Sequence, residues 1–162
     1  MFDAVLEYFV LVLQAIGQTL RLDPTIYATL VNHPAGANII RGIVFLAGVS
    51  TLLGQSVIVF SLLINGVVFL ITYAIWGIAV ALIAWQLFDV TLASEVYIVF
   101  LVGMSTAPLV FGFLILIPYL GPAIGKVLSV WQLLIMTTAV EYAFQVGFIQ
   151  AAVCVGLSWL LM

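Results

Sequence analysis

Few side chains in this 162-residue sequence could perform chemistry. It holds six acidic residues, three basic residues, one histidine and one cysteine. His33 and Cys154 lie in different segments, so a Ser-His or Cys-His nucleophilic pair has little to form from. The motifs of zinc proteases, phosphate-binding loops, dinucleotide sites and serine hydrolases do not occur in the sequence. We therefore expect a non-enzymatic protein with no catalytic residue and no metal site.

His33 is the one candidate ligand for a cofactor. A lone histidine near a membrane interface can ligate a pigment or a haem iron. His33 precedes Pro34, however, and follows a short stretch predicted to be helical. A histidine at that place usually caps the last turn of a helix. We expect this second role, and no cofactor is predicted.

The composition identifies the solvent. Hydrophobic residues make up 67% of the chain and charged residues only 6%, whereas soluble proteins carry about 25% charged residues. The bilayer must therefore be the solvent, which predicts an integral, multi-pass membrane protein. The net charge is −3, so no basic patch for nucleic acid is expected.

Uncharged runs between polar residues predict the spans. The run 42–88 is 47 residues long, enough for two spans, because one span needs about 20 residues. The turn between them could lie at "GQS" (54–56) or at the turn dipeptide "NG" (65–66), and a turn within 57–66 is favoured. The uncharged run 96–125 is too long for one upright helix and too short for two.

The stretch "ILIPYLGPAIGK" divides that second run. Pro118 ends one helix, because it lacks an N–H and clashes with the preceding turn. Pro122 suits the first turn of the next helix. A further short turn is expected around Glu141. The sequence thus predicts an all-α polytopic transmembrane bundle of about five spans, with four as the alternative. The predicted spans are residues 36–57, 63–88, 95–117, 121–140 and 146–161.

The N-terminal segment differs from the spans. At about 100° per residue, its polar side chains fall on one narrow stripe of a helix, namely Asp3, Glu7, Gln14, Gln18 and Arg21. Such an amphipathic helix suits the membrane surface or a protein surface better than mid-bilayer, where carboxylates are costly. Asp23 and Pro24 begin a second, short helix. Residues 1–34 are therefore predicted to be interfacial and residues 35–162 transmembrane.

Three charged residues near span ends are interpreted as interface anchors: Arg41, Lys126 and Glu141. Arg21 and Arg41 flank the start of the first span, so the positive-inside rule favours a cytoplasmic N-terminus. Amides in or near the spans are expected to hydrogen-bond between helices, and a transport path is the alternative. These amides are Gln55, Asn65, Gln86, Gln132, Gln145 and Gln150.

Pairs of small residues four positions apart mark close helix contacts. Helices associate in lipid through backbone packing at such positions. The pairs could pack within the bundle or form an interface with another subunit. They are Ser50/Gly54, Gly77/Ala81, Gly121/Gly125 and Ala152/Gly156.

The segments "GMSTAPLVFGFLILIPYLGP" and "VLSVWQLLIMTTAVEYAFQVGFIQA" resemble the Yip family, the five-span membrane domain of Ypt-interacting proteins. The matching pattern is a span that begins Gly-Tyr-x-x-x-Pro, a Pro/Gly-rich turn and a tryptophan in the next span. Gly103, Pro108, Pro118, Gly121 and Trp131 follow it. The upstream segment "PTIYATLVNHPAGANIIRGIVFLAGVSTLLGQ" is similar to a Yip first span, so the resemblance covers roughly residues 24–161.

The resemblance implies a five-span fold, and two departures bear on function. Met104 stands where the family has tyrosine, and the acidic Asp-Leu-Tyr-Gly-Pro segment of eukaryotic trafficking members does not occur. These departures favour a bacterial or organellar type of member and argue against Rab binding.

The expected function is that of a scaffold or accessory subunit of a larger membrane complex. The scarcity of charge suggests a protein enclosed by the lipid bilayer and by other integral membrane subunits. A small transporter or channel is the alternative, because broken helices often flank substrate sites. Membrane trafficking or shaping is a third, by family analogy alone.

Overall fold

The described part of the chain, residues 2–53, 59–90 and 102–161 of a computed structural model, consists of helices joined by short turns and contains no strand. Three of its helices are long and apolar enough to cross a membrane: Gly36–Leu53, Ser61–Phe88 within a longer helix, and Gly121–Phe144. In chain order the elements are α1 (Phe2–Leu20), α2 (Thr25–Asn32), α3 (Gly36–Leu53), α4 (Val59–Phe88), the 3-10 helix η1 (Met104–Leu116), α5 (Gly121–Phe144) and α6 (Phe148–Leu161).

Helices α3 and α4 pack with their backbones in contact. A Cβ atom on Gly48 of α3 would lie 2.9 Å from the carbonyl oxygen of Asn65 and from the Cα of Gly66, both on α4. The Asn65 amide also donates to the Gly48 carbonyl. Small residues permit this approach, which gives van der Waals contact that lipid cannot replace.

The expectation of a turn at Asn65-Gly66 is wrong, because both residues lie inside α4. In an apolar helix, the absent side chain of Gly66 makes room for the ring of Phe45. Helix α3 ends at Leu53 and α4 begins at Val59. Residues 54–58, which include the "GQS" alternative and the first two residues of 57–66, lie outside the described residues. Residues 59–66 are helical, so a turn in that part of the favoured range is wrong.

The segment η1 is a 13-residue 3-10 helix, whereas the sequence predicts an ordinary span over 95–117. Pro108 contributes, because in an α-helix its ring would clash with the Met104 carbonyl. A 3-10 helix rises about 2.0 Å per residue, so η1 covers about 26 Å. It packs between α3 and α5. Residues 95–101 of the predicted span lie outside the described residues.

The chain breaks between η1 and α5 at Pro118, where the sequence predicts the end of a helix. Ile117 is extended, Tyr119 has a left-handed φ of 65°, and Pro122 lies in the first turn of α5. Gly121 is required here, because a Cβ atom would lie 2.0 Å from the Ile115 carbonyl oxygen. The break thus combines a proline with a glycine that has no room for a side chain.

Helix α5 continues through Glu141 to Phe144, so the turn expected around Glu141 is wrong. The helix ends where Gln145 adopts a left-handed φ of 53°.

Helix α6 follows with 14 residues, or about 21 Å. Its C-terminal part crosses α4: Trp159 shares a groove with Thr72 and Tyr73, while Leu157, Leu160 and Leu161 share another with Ile83 and Gln86.

Helix α1 lies across the bundle and contacts α3, η1 and α5. The Tyr8 hydroxyl donates to the Asn38 carbonyl of α3 at 3.2 Å, and the Trp131 indole N–H of α5 donates to the Leu20 carbonyl at 3.0 Å. Its buried face consists of Val12, Ala15, Ile16 and Thr19. One helix therefore bridges elements that are distant in sequence.

Helix α2 packs against α5 through Tyr27, which is 1% exposed. The Tyr27 hydroxyl donates to the Ile135 carbonyl at 3.4 Å and lies 3.2 Å from the Thr138 hydroxyl oxygen. Before α2, Asp23 accepts hydrogen bonds from the Thr25 hydroxyl and the Thr25 N–H, which lower the pKa of Asp23. Pro24 occupies the N-cap position of α2, and Asp23, one residue earlier, satisfies the N–H of Thr25, the first residue of the helix.

The protonation of Tyr27 predicts a pH dependence. Burial raises the pKa of Tyr27 to about 12 from 10.0. A raised folded-state pKa means that stability is fully present below pH 10 and declines as the pH rises towards 12. Near pH 11 we expect a loss of about 1 kcal/mol. Chemical denaturation at low and high pH measures it, and a Tyr27→Phe variant that loses as much stability as the wild type would contradict it.

Candidate functional site

Several polar side chains inside the bundle join one helix to another. Ser50 of α3 lies against η1. Its hydroxyl bonds to two residues of η1 that are three positions apart and are therefore hydrogen-bond partners in a 3-10 helix. The Ser50 Oγ donates to the Val110 carbonyl at 2.7 Å and accepts from the Phe113 N–H at 3.1 Å. We call this arrangement the Ser50 clamp. It supports the 3-10 geometry, because residues three apart are the partners in such a helix.

A second polar contact joins the middle of α4 to α5. The Gln132 amide donates to the Tyr73 hydroxyl, and both side chains are buried. Phe69, Tyr73 and Trp76 follow one another along the same helix face, with successive ring centroids 5.7 and 5.5 Å apart. The apolar interior thus accommodates an amide by pairing it with a phenol.

The third contact joins α4 to the short helix α6. The Trp76 indole N–H donates to Ser158 Oγ at 2.9 Å, and the same hydroxyl donates to the Val155 carbonyl at 2.8 Å. The Ser158 proton is therefore directed into its own helix, which leaves a lone pair for Trp76. Ser158 is fully buried.

Removing either partner of the Trp76–Ser158 contact is expected to destabilise the protein. In a double-mutant cycle of Trp76→Phe and Ser158→Ala, we expect a coupling energy of roughly 0.6–1.7 kcal/mol. Thermal unfolding in a mild detergent measures it. Trp85→Phe is the matched control, since Trp85 is on the same helix and 50% exposed. Strictly additive losses would show that the hydrogen bond contributes nothing.

Two of the amides expected to bond between helices do so, Asn65 and Gln132. Gln150 instead accepts from the Gly147 N–H of its own turn at 3.0 Å. Gln86 is exposed, and Gln145 is the residue that ends α5. Gln55 lies outside the described residues. The paired amides of the interior are thus engaged by the protein itself.

The small-residue pairs lie in different environments. Gly77 and Ala81 are buried on α4, Ser50 forms the clamp, and its partner Gly54 is outside the described residues. Gly121 belongs to the chain break. Gly125 would place a Cβ atom 3.7 Å from the Ile115 side chain. On α6, Ala152 is half-buried, and no other element of the described chain lies within 4 Å of the Cβ position of Gly156.

The charged candidates lie at the periphery. Arg41 and Lys126 are exposed and Glu141 is half-buried. Glu141 lines a groove of about 300 Å³ with Leu22, Pro24, Thr138 and Tyr142. Arg41 donates to Asn38 Oδ1 at 3.2 Å and lines a separate crevice between α3 and α4.

His33 has a local structural role. Its backbone ends α2, and its Nδ1 accepts the Ala35 N–H at 3.1 Å. This bond uses one of the two ring nitrogens and requires that Nδ1 carry no proton.

Sequence reasoning missed Tyr73, Trp76 and Ser158 as contact residues. Each stands in an apolar helix with a hydrogen-bonding group that needs a partner, which is a signal that such a partner exists. The partner itself lies 59 or 82 positions away, and no local spacing indicates it.

Compared with known proteins, the chain matches no family model, no curated protein sequence and no solved structure.

Proposed function

We propose that this chain is a multi-pass integral membrane protein without enzymatic activity, and that it acts as a scaffold or accessory subunit of a larger membrane complex. The observation that carries the proposal is the apolar outer surface of α4. Its outward residues are each 46–56% exposed: Leu63, Ile64, Val67, Val68, Ile71, Ile75, Ile78, Leu82 and Trp85. Water cannot be the solvent of that face.

The length of α4 favours protein partners in addition to lipid. Its 30 residues extend about 45 Å, while the hydrocarbon core is about 30 Å thick. A helix this long must tilt, or its ends must be covered by protein. Helix α6 has the opposite mismatch, being about 21 Å long. Its residues Ile149, Leu160 and Leu161 are 74–79% exposed, and a neighbouring subunit would cover them.

The proposal has five spans: α3, α4, the segment 102–116 that contains η1, α5 and α6. The length of η1, about 26 Å, supports its inclusion. In this arrangement α1 is the amphipathic interfacial helix, because it crosses three elements and exposes Leu6, Phe9 and Leu13. The N-terminus is cytoplasmic, and an odd number of spans places the C-terminus on the other side. Reporter fusions at the two ends of the chain test this orientation. Both reporters on the same side of the membrane would favour four spans.

The experiment for the subunit role is purification from native membranes in a mild detergent, followed by native mass spectrometry. We expect a stoichiometric complex with at least one other integral membrane protein. A monomer that purifies alone, with its fold intact, would overturn the subunit role.

A small transporter or channel is the second candidate, favoured by the long 3-10 helix η1. Runs of 3-10 helix longer than three or four residues are uncommon, so the 13 residues of η1 mark a segment in which two conformations could alternate. Selective, saturable uptake into liposomes that contain the purified protein would place this candidate first. The Yip-like pattern adds membrane shaping as a role by analogy, and tubulation of liposomes by the purified protein would support it.

A further inference from the structure

A groove of about 300 Å³ lies between the last two turns of α5 and the connection from α1 to α2. We call it the Glu141 groove. Thr138, Glu141 and Tyr142 line it from α5, and Leu22 and Pro24 line it from the connection. Glu141 is the charged residue among them, and its side chain is half-buried. The groove therefore presents a carboxylate in largely apolar surroundings.

The Glu141 carboxylate forms no hydrogen bond and no ion pair with any other described residue. Its polar neighbours are engaged elsewhere: the Thr138 hydroxyl donates within its own helix at 2.8 Å, and Asp23 accepts from Thr25. Arg21 is exposed and does not line the groove. Because a partly desolvated carboxylate is stabilised by a cation beside it, the groove favours a cationic occupant.

The helix end adds to the negative potential of the groove. Glu141 is three residues before Phe144, the last residue of α5. The last four carbonyls of an α-helix have no partner within the helix, and this end carries about half a negative charge. The last turn of α5 contains no basic residue. A carboxylate and a helix C-terminus thus act together on the same occupant.

The position of Glu141 along α5 corresponds to headgroup depth. Glu141 is 20 residues after Gly121, the first residue of α5, or about 30 Å along the axis. The hydrocarbon core has the same thickness, about 30 Å. With Gly121 at one boundary of the core, Glu141 lies at the other boundary. The connection from α1 to α2, which forms the other wall of the groove, belongs to the segment proposed to be interfacial.

We propose that the Glu141 groove binds the headgroup of one phosphatidylethanolamine molecule, with its ammonium group on the Glu141 carboxylate. A primary ammonium has three N–H donors and forms charge-assisted hydrogen bonds to a carboxylate. The Tyr142 ring lines the same groove, and aromatic rings attract cations. The trimethylammonium of phosphatidylcholine has no N–H donor, and anionic phosphatidylglycerol is repelled. The inference requires that α5 crosses the bilayer, and it does not depend on the subunit role.

The test is native mass spectrometry of the full chain, titrated with phosphatidylethanolamine, phosphatidylcholine and phosphatidylglycerol of identical acyl chains. We expect phosphatidylethanolamine to bind most tightly, and Glu141→Gln to weaken its binding about fivefold. Glu7→Gln is the matched control, because Glu7 is exposed on α1 and does not line the groove. Equal affinities of the wild type for phosphatidylethanolamine and phosphatidylcholine, or equal losses in the two variants, would overturn the proposal.

A charge reversal tests the same site without filling the groove. Glu141→Lys places an ammonium where the carboxylate was, so this variant should bind phosphatidylglycerol more tightly than phosphatidylethanolamine, whereas Glu7→Lys should keep the order of the wild type. A Glu141→Lys variant that still prefers phosphatidylethanolamine would overturn the lipid site. So would a second membrane protein that the wild type retains and Glu141→Gln loses while the lipid preference is unchanged, because a basic side chain of that protein would then occupy the groove.

Discussion

Replacing Gly48 with alanine is expected to cost about 1–3 kcal/mol of stability, the usual cost of overpacking a well-packed contact. The new Cβ atom would lie 2.9 Å from the Asn65 carbonyl oxygen and from the Gly66 Cα. Both atoms belong to the backbone of α4, so no side chain can rotate away. Helices α3 and α4 must therefore separate, and the Asn65–Gly48 hydrogen bond is stretched.

The single cysteine supplies the measurement for Gly48→Ala. Cys154 is fully buried, so the rate at which a thiol-reactive dye labels it on heating reports unfolding. Gly17→Ala is the matched control, because no side chain or neighbouring element among the described residues lies within 4 Å of that Cβ position. We expect the control to gain about 0.5–1 kcal/mol from helix propensity. Equal melting temperatures for Gly48→Ala and the wild type would contradict the close contact.

Replacing Ser50 with alanine is expected to cost about 1–2 kcal/mol, because the two hydrogen bonds between the Ser50 hydroxyl and η1 are lost. In this variant, the Val110 carbonyl and the Phe113 N–H lose the Ser50 hydroxyl. Where α3 crosses η1, they can then bond only to each other. Without the clamp, η1 is also expected to shift towards α-helical geometry, which is shorter by about 0.5 Å per residue.

Ser129→Ala is the matched control for Ser50→Ala. Its hydroxyl donates to the Gly125 carbonyl of its own helix at 2.9 Å, and the residue is exposed. We expect a loss below about 0.5 kcal/mol for this control. Thiol labelling of Cys154 gives the stabilities. A distance measurement between labels at the two ends of η1 gives its length, and unchanged values of both for Ser50→Ala would contradict the clamp.

Local chemistry accounts for the features that the sequence predicts well. The all-helical class follows from apolar runs in a chain with 6% charge. The break at Pro118 and Gly121 is visible because proline and glycine act on the backbone of their own segment, whatever lies around them.

Tertiary packing explains the predictions that are wrong. The dipeptide Asn65-Gly66 resembles a turn, but in an apolar helix its small residue and its amide serve contact with α3. In the sequence, the charge of Glu141 indicates the end of a span. In the structure, its half-buried carboxylate lies within α5 beside Tyr142 and Thr138. The 3-10 geometry of η1 depends partly on Ser50, which lies 60 residues before Val110.

We propose that this chain is a subunit of a membrane complex, so a second membrane protein is expected to cover part of the apolar outer face of α4. We would place a photoreactive aliphatic amino acid at Ile75, which is 53% exposed, and at Val80, which is fully buried, and irradiate native membranes. The account predicts a discrete adduct with a second membrane protein at Ile75 and crosslinks within the chain at Val80. Labelling of lipid alone at Ile75, while Val80 still reports an intact bundle, would contradict it.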